Sequence, residues 1–408
     1  MKKIFNFVKM HAIFILFCVI CVVFLPNAVV AQPQSRTKLV VRAFGVDKTD
    51  SGYEVSAIVF IPKATQTFSE NYQVVSGKGN SFYEAFSNIG IETGREVALS
   101  HTSVIYVNDK ICQEGLVESL DYLIRDYSLN NSSNLVYVEK SAKEIVEASK
   151  SVIQNSGVKI GDVAKFDEDK VVLLQSNIES LFSSAYSKSG CAMINIMELS
   201  DEMGLESSGS PEESGEVQSG GGNESKSKKI LNEGKSLVLK NGKKALVLDK
   251  EETSALRFGK KLSQIGYLEL NNFSNENFKD AHLAFIIEKN IVKYTPTFKN
   301  GKPVLEIKIM PKLRLAEVNQ KTHDEKIFLG DPNIASESLV SAVNEKVKTN
   351  FSSVLTKLKN KNLDVLSAYE KFNASSHAEF QKFLSSLENP NAYYQNIEFE
   401  INVSALVV

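Results

Sequence analysis

The chain has 408 residues, 43% hydrophobic and 24% charged, enough for two or three domains with buried cores; this excludes a wholly disordered polypeptide and a multi-span membrane protein. Lys and Arg number 47 against 49 Asp and Glu, so a net charge of -2 leaves no global field for a polyanion, and no nucleic-acid partner is expected. Four Cys and five His supply little material for a metal cluster or a disulfide framework.

Lys2, Lys3 and Lys9 precede an uncharged run from Ala12 to Leu25, which Pro26-Asn27 ends. This is the layout of a secretory signal. The run is shorter than the ~20 apolar residues of a spanning helix, although the weakly apolar stretch to Ala31 extends it toward a marginal span. Val29-Val30-Ala31 offers small residues at the cleavage subsites, so residues 1–31 are expected to be a signal peptide cut after Ala31, or else an uncleaved anchor. Either way, everything from about Gln32 is expected outside the cytoplasm. A lipid-modified cysteine needs a small residue before it. Cys18 follows Phe17 and Cys21 follows Ile20, so both read as apolar filler and no lipidation site is assigned.

Two β-rich runs, Leu39 to Asp47 and Tyr53 to Phe60, flank a polar break at Lys48-Thr49-Asp50-Ser51-Gly52 and predict a hairpin, with Pro62 closing its second strand. Ser81 with Glu84 forms a capping-box pattern and starts a helix with Phe82 and Phe86 on one face. The Gly77-Lys78-Gly79 segment before it lacks P-loop spacing. Thr102 to Val107 reads as a strand, Leu116, Leu120, Leu123 and Tyr127 as a helical stripe, and Asn134 to Val138 as another strand. Ser141 with Glu144 repeats the capping box, and Val171 to Tyr186 carries helical intervals. This order predicts a mixed sheet covered by helices.

Between Met203 and Lys229 the composition turns to Ser, Gly and Glu, a linker or mobile loop. Leu237 to Leu248 then reads as a hairpin around Asn241-Gly242, and Asn300-Gly301 repeats the device. After it, Leu305, Ile307, Ile309, Leu313 and Leu315 share one strand face, with Glu306, Lys308, Lys312 and Arg314 on the other. The Lys308, Lys312 and Arg314 stripe is either a solvated face or available to a partner or anionic lipid. A long helix is expected from near Ser336 to about Leu366, with Val340, Val343, Val347, Phe351, Val354 and Leu358 along one stripe. Ile397, Phe399, Ile401 and Val403 alternate with polar residues in a closing strand. The expected fold class is therefore α+β, each domain a mostly antiparallel or mixed sheet covered by helices, with the long helix laid across a large sheet in the C-terminal half.

Catalytic signatures are sparse. His101, His282, His323 and His377 stand far apart with no H-E-x-x-H or C-x-x-C to join them, no G-x-S-x-G elbow occurs, and Glu251-Glu252 reads as solvated surface. Cys112 and Cys191 read as buried hydrophobes or as a pair formed outside the cell. No catalytic, cofactor-binding or metal residue is nominated, and no cofactor is expected. The residues alone leave open an extracytoplasmic cell-wall hydrolase or a generic surface binding protein.

A resemblance narrows these alternatives. Phe44-Gly45-Val46-Asp47 with Tyr53-Glu54-Val55, then Gly79 with Ser81 to Ala85, Leu99-Ser100-His101, Val104-Ile105-Tyr106, Gly115-Leu116, Asp121 to Arg125 and Ala142 to Ile145 follow in order. Pro296 and Phe298, Gly301-Lys302-Pro303, Glu317 and Asp364 continue the series. In this order the chain resembles the Ger(x)C family, the C-type subunit of bacterial spore germinant receptors. The resemblance implies a non-enzymatic protein on the outer face of the spore inner membrane, assembled with an integral-membrane partner and a second receptor subunit. It also implies residues 36–196 as an N-terminal domain and 234–408 as a C-terminal domain; the Ser/Gly/Glu composition sets the linker between them at 197–233, and the hairpin pattern offers 234–268 as an alternative small middle unit.

Overall fold

The computed structural model describes residues 38–60, 72–125, 129–156, 176–200, 229–231, 234–260, 266–319 and 336–408. The leader with Cys18 and Cys21, Pro62, Tyr127, His323, the start of the helix expected from Val171 and the 201–228 stretch lie outside them. Among the described residues no helix is long and apolar enough to cross a membrane.

Strands β1 (Lys38–Thr49) and β2 (Gly52–Phe60) form the expected antiparallel hairpin, and β3 (Tyr72–Gly79) adds to its outer side. Helix α1 (Phe82–Thr93) starts at Ser81, whose hydroxyl accepts the Glu84 N–H at 3.2 Å, while Glu84 accepts the Asn80 N–H at 2.7 Å. Then β4 (Glu96–Ala98) and β5 (Val104–Asn108) both run parallel to β1. The stripe at Leu116, Leu120 and Leu123 is buried as expected, but in three short pieces, α2 (Asp109–Glu114), α3 (Leu116–Ser119) and α4 (Asp121–Arg125). Gly115, at φ 145°, breaks the first from the second, and the Leu116 N–H goes to the Gly242 carbonyl at 2.8 Å instead of into a continuous helix.

Strand β6 (Asn134–Val138) runs parallel to β5, and α5 (Ala142–Ser156) follows it. Helix α6 (Ile178–Tyr186) is opened by Asn177, which bridges to Asn134 and caps the helix through a box with Ser180. Strand β7 (Cys191–Ser200), which the sequence reading passed over, is parallel to β6 and carries β8 (Lys229–Leu231) at its end. The hairpin of β9 (Ser236–Lys240) and β10 (Lys243–Leu248) turns at Asn241-Gly242, with φ of 48° and 74°. It is not a separate small unit: β9 pairs antiparallel with β7, Cys191 to Asn195 against Lys240 to Ser236. The result is a ten-stranded mixed sheet ordered β10-β9-β7-β6-β5-β1-β2-β3, with β4 on β1 and β8 on β7.

Helix α7 (Lys250–Gly259) leads to the second sheet, of β11 (Tyr267–Phe273), β12 (Ala281–Lys299), β13 (Lys302–Asn319), β14 (Glu398–Val403) and β15 (Leu406–Val407). Asn300-Gly301 makes the β12–β13 turn in left-handed conformation. The first three strands are antiparallel, but β14 and β15 pair parallel to β13, so this sheet is mixed. Before β14 come α8 (Glu337–Asn360), α9 (Ala368–Ser375), α10 (His377–Ser386) and a 3-10 turn (Pro390–Asn396). Ser336 caps α8, and Val343, Val347, Phe351, Val354 and Leu358 are buried while Val340 is half-buried. The helix stops at Asn360 rather than near Leu366, because Asn362 turns left-handed (φ 55°) and Asp364 is needed to cap α9.

Alternation decides which layer covers which face. Ala192, Ile194, Leu237 and Leu239 point into the core under α1, α2, α3 and α6, whereas Cys191, Met193 and Val238 join the core formed by the second sheet with α7 and α8. On that same second face, α5 covers the β1, β5 and β6 portion with Ile145 and Val146. Gly45 permits this: a Cβ there would lie 2.8 Å from the Ala142 carbonyl oxygen and 2.9 Å from its Cβ. Asp47, two residues on, accepts the Ala142 N–H at 2.8 Å, the Lys143 N–H at 2.9 Å and the Ser141 hydroxyl at 3.2 Å. The Gly45 and Asp47 pair thus seats and caps α5. Asp47→Ala is expected to lower stability by about 1–2 kcal/mol in urea unfolding, and Gly45→Val by more. Wild-type midpoints for both would contradict this packing.

Candidate functional site: a charged cleft between the sheets

Beyond the ends of β6 and β7 lies a cleft of about 320 Å³ walled by β10, α7 and α8. On one wall stand Tyr137 and Lys244, whose hydroxyl and ammonium both donate to Asp109 at the start of α2, each at 2.7 Å and through the same carboxylate oxygen, Oδ1. Lys244 also donates to the Tyr137 oxygen at 2.8 Å, and Gln113 caps the other carboxylate oxygen, Oδ2. On the opposite wall Lys357 of α8 donates to both carboxylate oxygens of Glu252, at 2.6 and 2.7 Å. Glu252 also completes the capping box of Asp249 at the start of α7, so it is not free solvated surface as its sequence context suggested. Lys235 meets Glu198 at 3.2 Å. A second cleft of about 240 Å³ adjoins, sharing Glu139 and Glu198.

Electrostatics explain why these groups hold one another. Burial acts to raise the Asp109 carboxyl, but hydrogen bonds from Lys244 and Tyr137 outweigh it and hold the carboxyl below its usual range. Burial acts to lower the Lys244 ammonium, and the Asp109 and Tyr137 hydrogen bonds reverse that, raising it. Tyr137 is raised, first by burial. Each of Lys235, Lys244 and Lys357 is therefore an ammonium held by a carboxylate. Chemically the arrangement is a set of clamps joining α2, β6, β10, α7 and α8, rather than a nucleophile beside a base.

Asp364 makes a second clamp deeper in the seam. Fully buried, it accepts the Ala368 N–H at 2.8 Å, the Tyr369 N–H at 2.9 Å and the Tyr393 hydroxyl at 2.8 Å. Burial raises its carboxyl despite these donors. Across the same seam Glu370 of α9 accepts the Ser189 N–H at 3.0 Å, just before β7.

The residues weighed from sequence fall apart in space. Cys112 and Cys191 are both buried free thiols in different cores, so they do not pair; burial pushes Cys112 up to about 12 and Cys191 up to about 11. His101 is exposed, His282 contacts Asn271, and His377 bonds Asn373. Among the described residues no three potential metal ligands converge. Lys312 and Arg314 are both engaged by Glu288, at 2.8 and 3.2 Å, while Lys308 meets no carboxylate among the described residues. Sequence reasoning missed Asp109, Tyr137 and Lys244 because they are 28 and 107 positions apart and only the sheet order unites them.

Comparison with known proteins gives matches over most of the chain. Residues 37–199 match the model of the spore germination protein N-terminal domain, and residues 234–408 match that of the spore germination B3/GerAC-like C-terminal domain. The crystal structure of the GerBC protein is similar in fold, with a TM-score of 0.51 and 17% identity, over 90% of this chain and 96% of that one. No curated protein matches this chain.

Lys244→Met is expected to destabilise the protein by about 2 kcal/mol at neutral pH, because Asp109 keeps its burial and loses its ammonium. The Asp109 carboxyl is depressed in the fold, so its contribution is present above the ordinary carboxylate pKa and lost as pH falls through the folded value. The gap between wild type and variant in chemical unfolding should therefore narrow below pH ~4. A gap that is constant or widens with acid would contradict the clamp.

Proposed function

We infer the role of this protein from its kinship: the chain belongs to the GerAC-like family of spore germination proteins. On that premise it is the C-type subunit of a germinant receptor, non-enzymatic, placed outside the cytoplasm on the outer face of the spore inner membrane. There it assembles with an integral-membrane subunit and a second receptor subunit to support nutrient-triggered germination. Residues 1–31 serve as the export signal or anchor, and 36–196 and 234–408 are its two modules.

The observation that carries this reading is the pair of family matches, in the order N-terminal then C-terminal, over 37–199 and 234–408. The clamps support it. They convert titratable side chains into fastenings between layers, which suits a rigid assembly part better than a turnover site. Deleting the gene in the spore-forming host is expected to abolish the response to at least one nutrient, with restoration by the intact gene. Unchanged germination with every nutrient tested would overturn the assignment.

A further inference from the structure

The second sheet buries one face under its helices, and the register shows what stands on the other. Val292 and Ile309, opposite each other, are buried, as are Leu305, Ile307 and Leu313. The intervening pairs point outward: Lys289 opposite Lys312, Ile291 opposite Met310, and Lys293 opposite Lys308. Leu406 lies beside Lys312 in β15, and Val408, whose N–H bonds Leu313, falls beside Arg314. Ile291, Leu406 and Val408 are 41%, 57% and 51% exposed, large apolar side chains standing among lysines.

Two like-charged pairs facing each other across adjacent strands cost stability, and opposite charges would have been favoured there. Glu288 bridges Lys312 and Arg314, but among the described residues no carboxylate bridges Lys289, Lys293 or Lys308. The face is therefore locally basic in a chain whose net charge is -2. Its limits are acidic: Glu306 and Glu400 engage Lys299 toward the Asn300-Gly301 turn, and Glu269 and Glu317 flank Ala284 at the other end. Neither cleft described above opens on it. A sheet face with ammonium groups around protruding apolar side chains matches a planar array of phosphates over hydrocarbon.

We propose that this outer face of the second sheet lies against an anionic lipid bilayer, with Lys289, Lys293 and Lys308 at the phosphates and Ile291, Leu406 and Val408 at the acyl boundary. The proposal rests on the membrane-assembly reading above and deepens it by naming the surface. Each lysine near such a surface adds to its attraction, and salt attenuates it.

The test uses the full chain with vesicles of phosphatidylglycerol and phosphatidylcholine, against phosphatidylcholine alone, which also measures whatever its apolar N-terminal run contributes. Wild type should prefer the anionic vesicles, and the preference should fall with salt. The variant K289Q/K293Q/K308Q should lose at least about tenfold of that partitioning, and Ile291→Ser should weaken it further. The triple variant should melt at or above the wild-type temperature, since its like-charge contacts are relieved. Equal partitioning of variant and wild type, or no anionic preference by wild type, overturns the proposal. So does loss of membrane-subunit capture by the triple variant in detergent, which would make the face a protein interface. A germination defect on gene deletion together with absent vesicle binding would remove this face while leaving the receptor role standing.

Discussion

The antiparallel pairing of β7 with β9 is the constraint on which the other features depend. Five residues on each side, Cys191 to Asn195 and Ser236 to Lys240, tie the chain before the 201–228 stretch to the chain after it within one sheet. This pairing makes β10 an edge strand next to β9, which carries Lys244 to Asp109 and Tyr137. It also sets Met193 and Val238 as floor for the helices of the second sheet. Lost, it would leave Asp109 and Tyr137 without Lys244 and the second core open along one side.

Close approach reinforces that constraint at the places where the layers meet. A Cβ on Gly259 would stand 2.1 Å from the Phe351 ring, so α7 and α8 touch where only glycine fits. Gly242 serves twice, at φ 74° in the β9–β10 turn and with its would-be Cβ 2.8 Å from Val117. Gly45, Asp47 and Asp364, on which the resemblance to the germinant-receptor family partly rests, seat α5 and cap α5 and α9. What they position is the relation between sheets and helices, and this is why the motif residues named from sequence are found holding helices rather than lining the charged cleft.

Much of the architecture could be read along the chain because it is written in local code. Asn241-Gly242 and Asn300-Gly301 turn as hairpins, Ser81 and Ser336 cap helices, and the alternation from Leu305 to Leu315 gives a one-sided strand. Local code failed where a distant partner overrode it. Gly115 split a regular leucine stripe because the Leu116 N–H is taken by the Gly242 carbonyl, and Asn362 ended α8 early so that Asp364 could cap α9. Strand β7 was passed over because, buried on both faces, Cys191 to Met197 lacks alternation. The cleft was invisible for the same reason: Asp109, Tyr137 and Lys244 belong to three elements whose adjacency comes only from strand order.

The shared sheet couples the chain before the 201–228 stretch to the chain after it. Hydrogen exchange followed by mass spectrometry on the full chain tests it most directly. The account predicts that amides of Leu237 and Leu239 are protected as long as those of Val136 and Ile194 in the same sheet. Early exchange across Ser236 to Lys240, with Val136 still protected, would contradict it: the hairpin would then open independently, and the two family segments would be separate bodies.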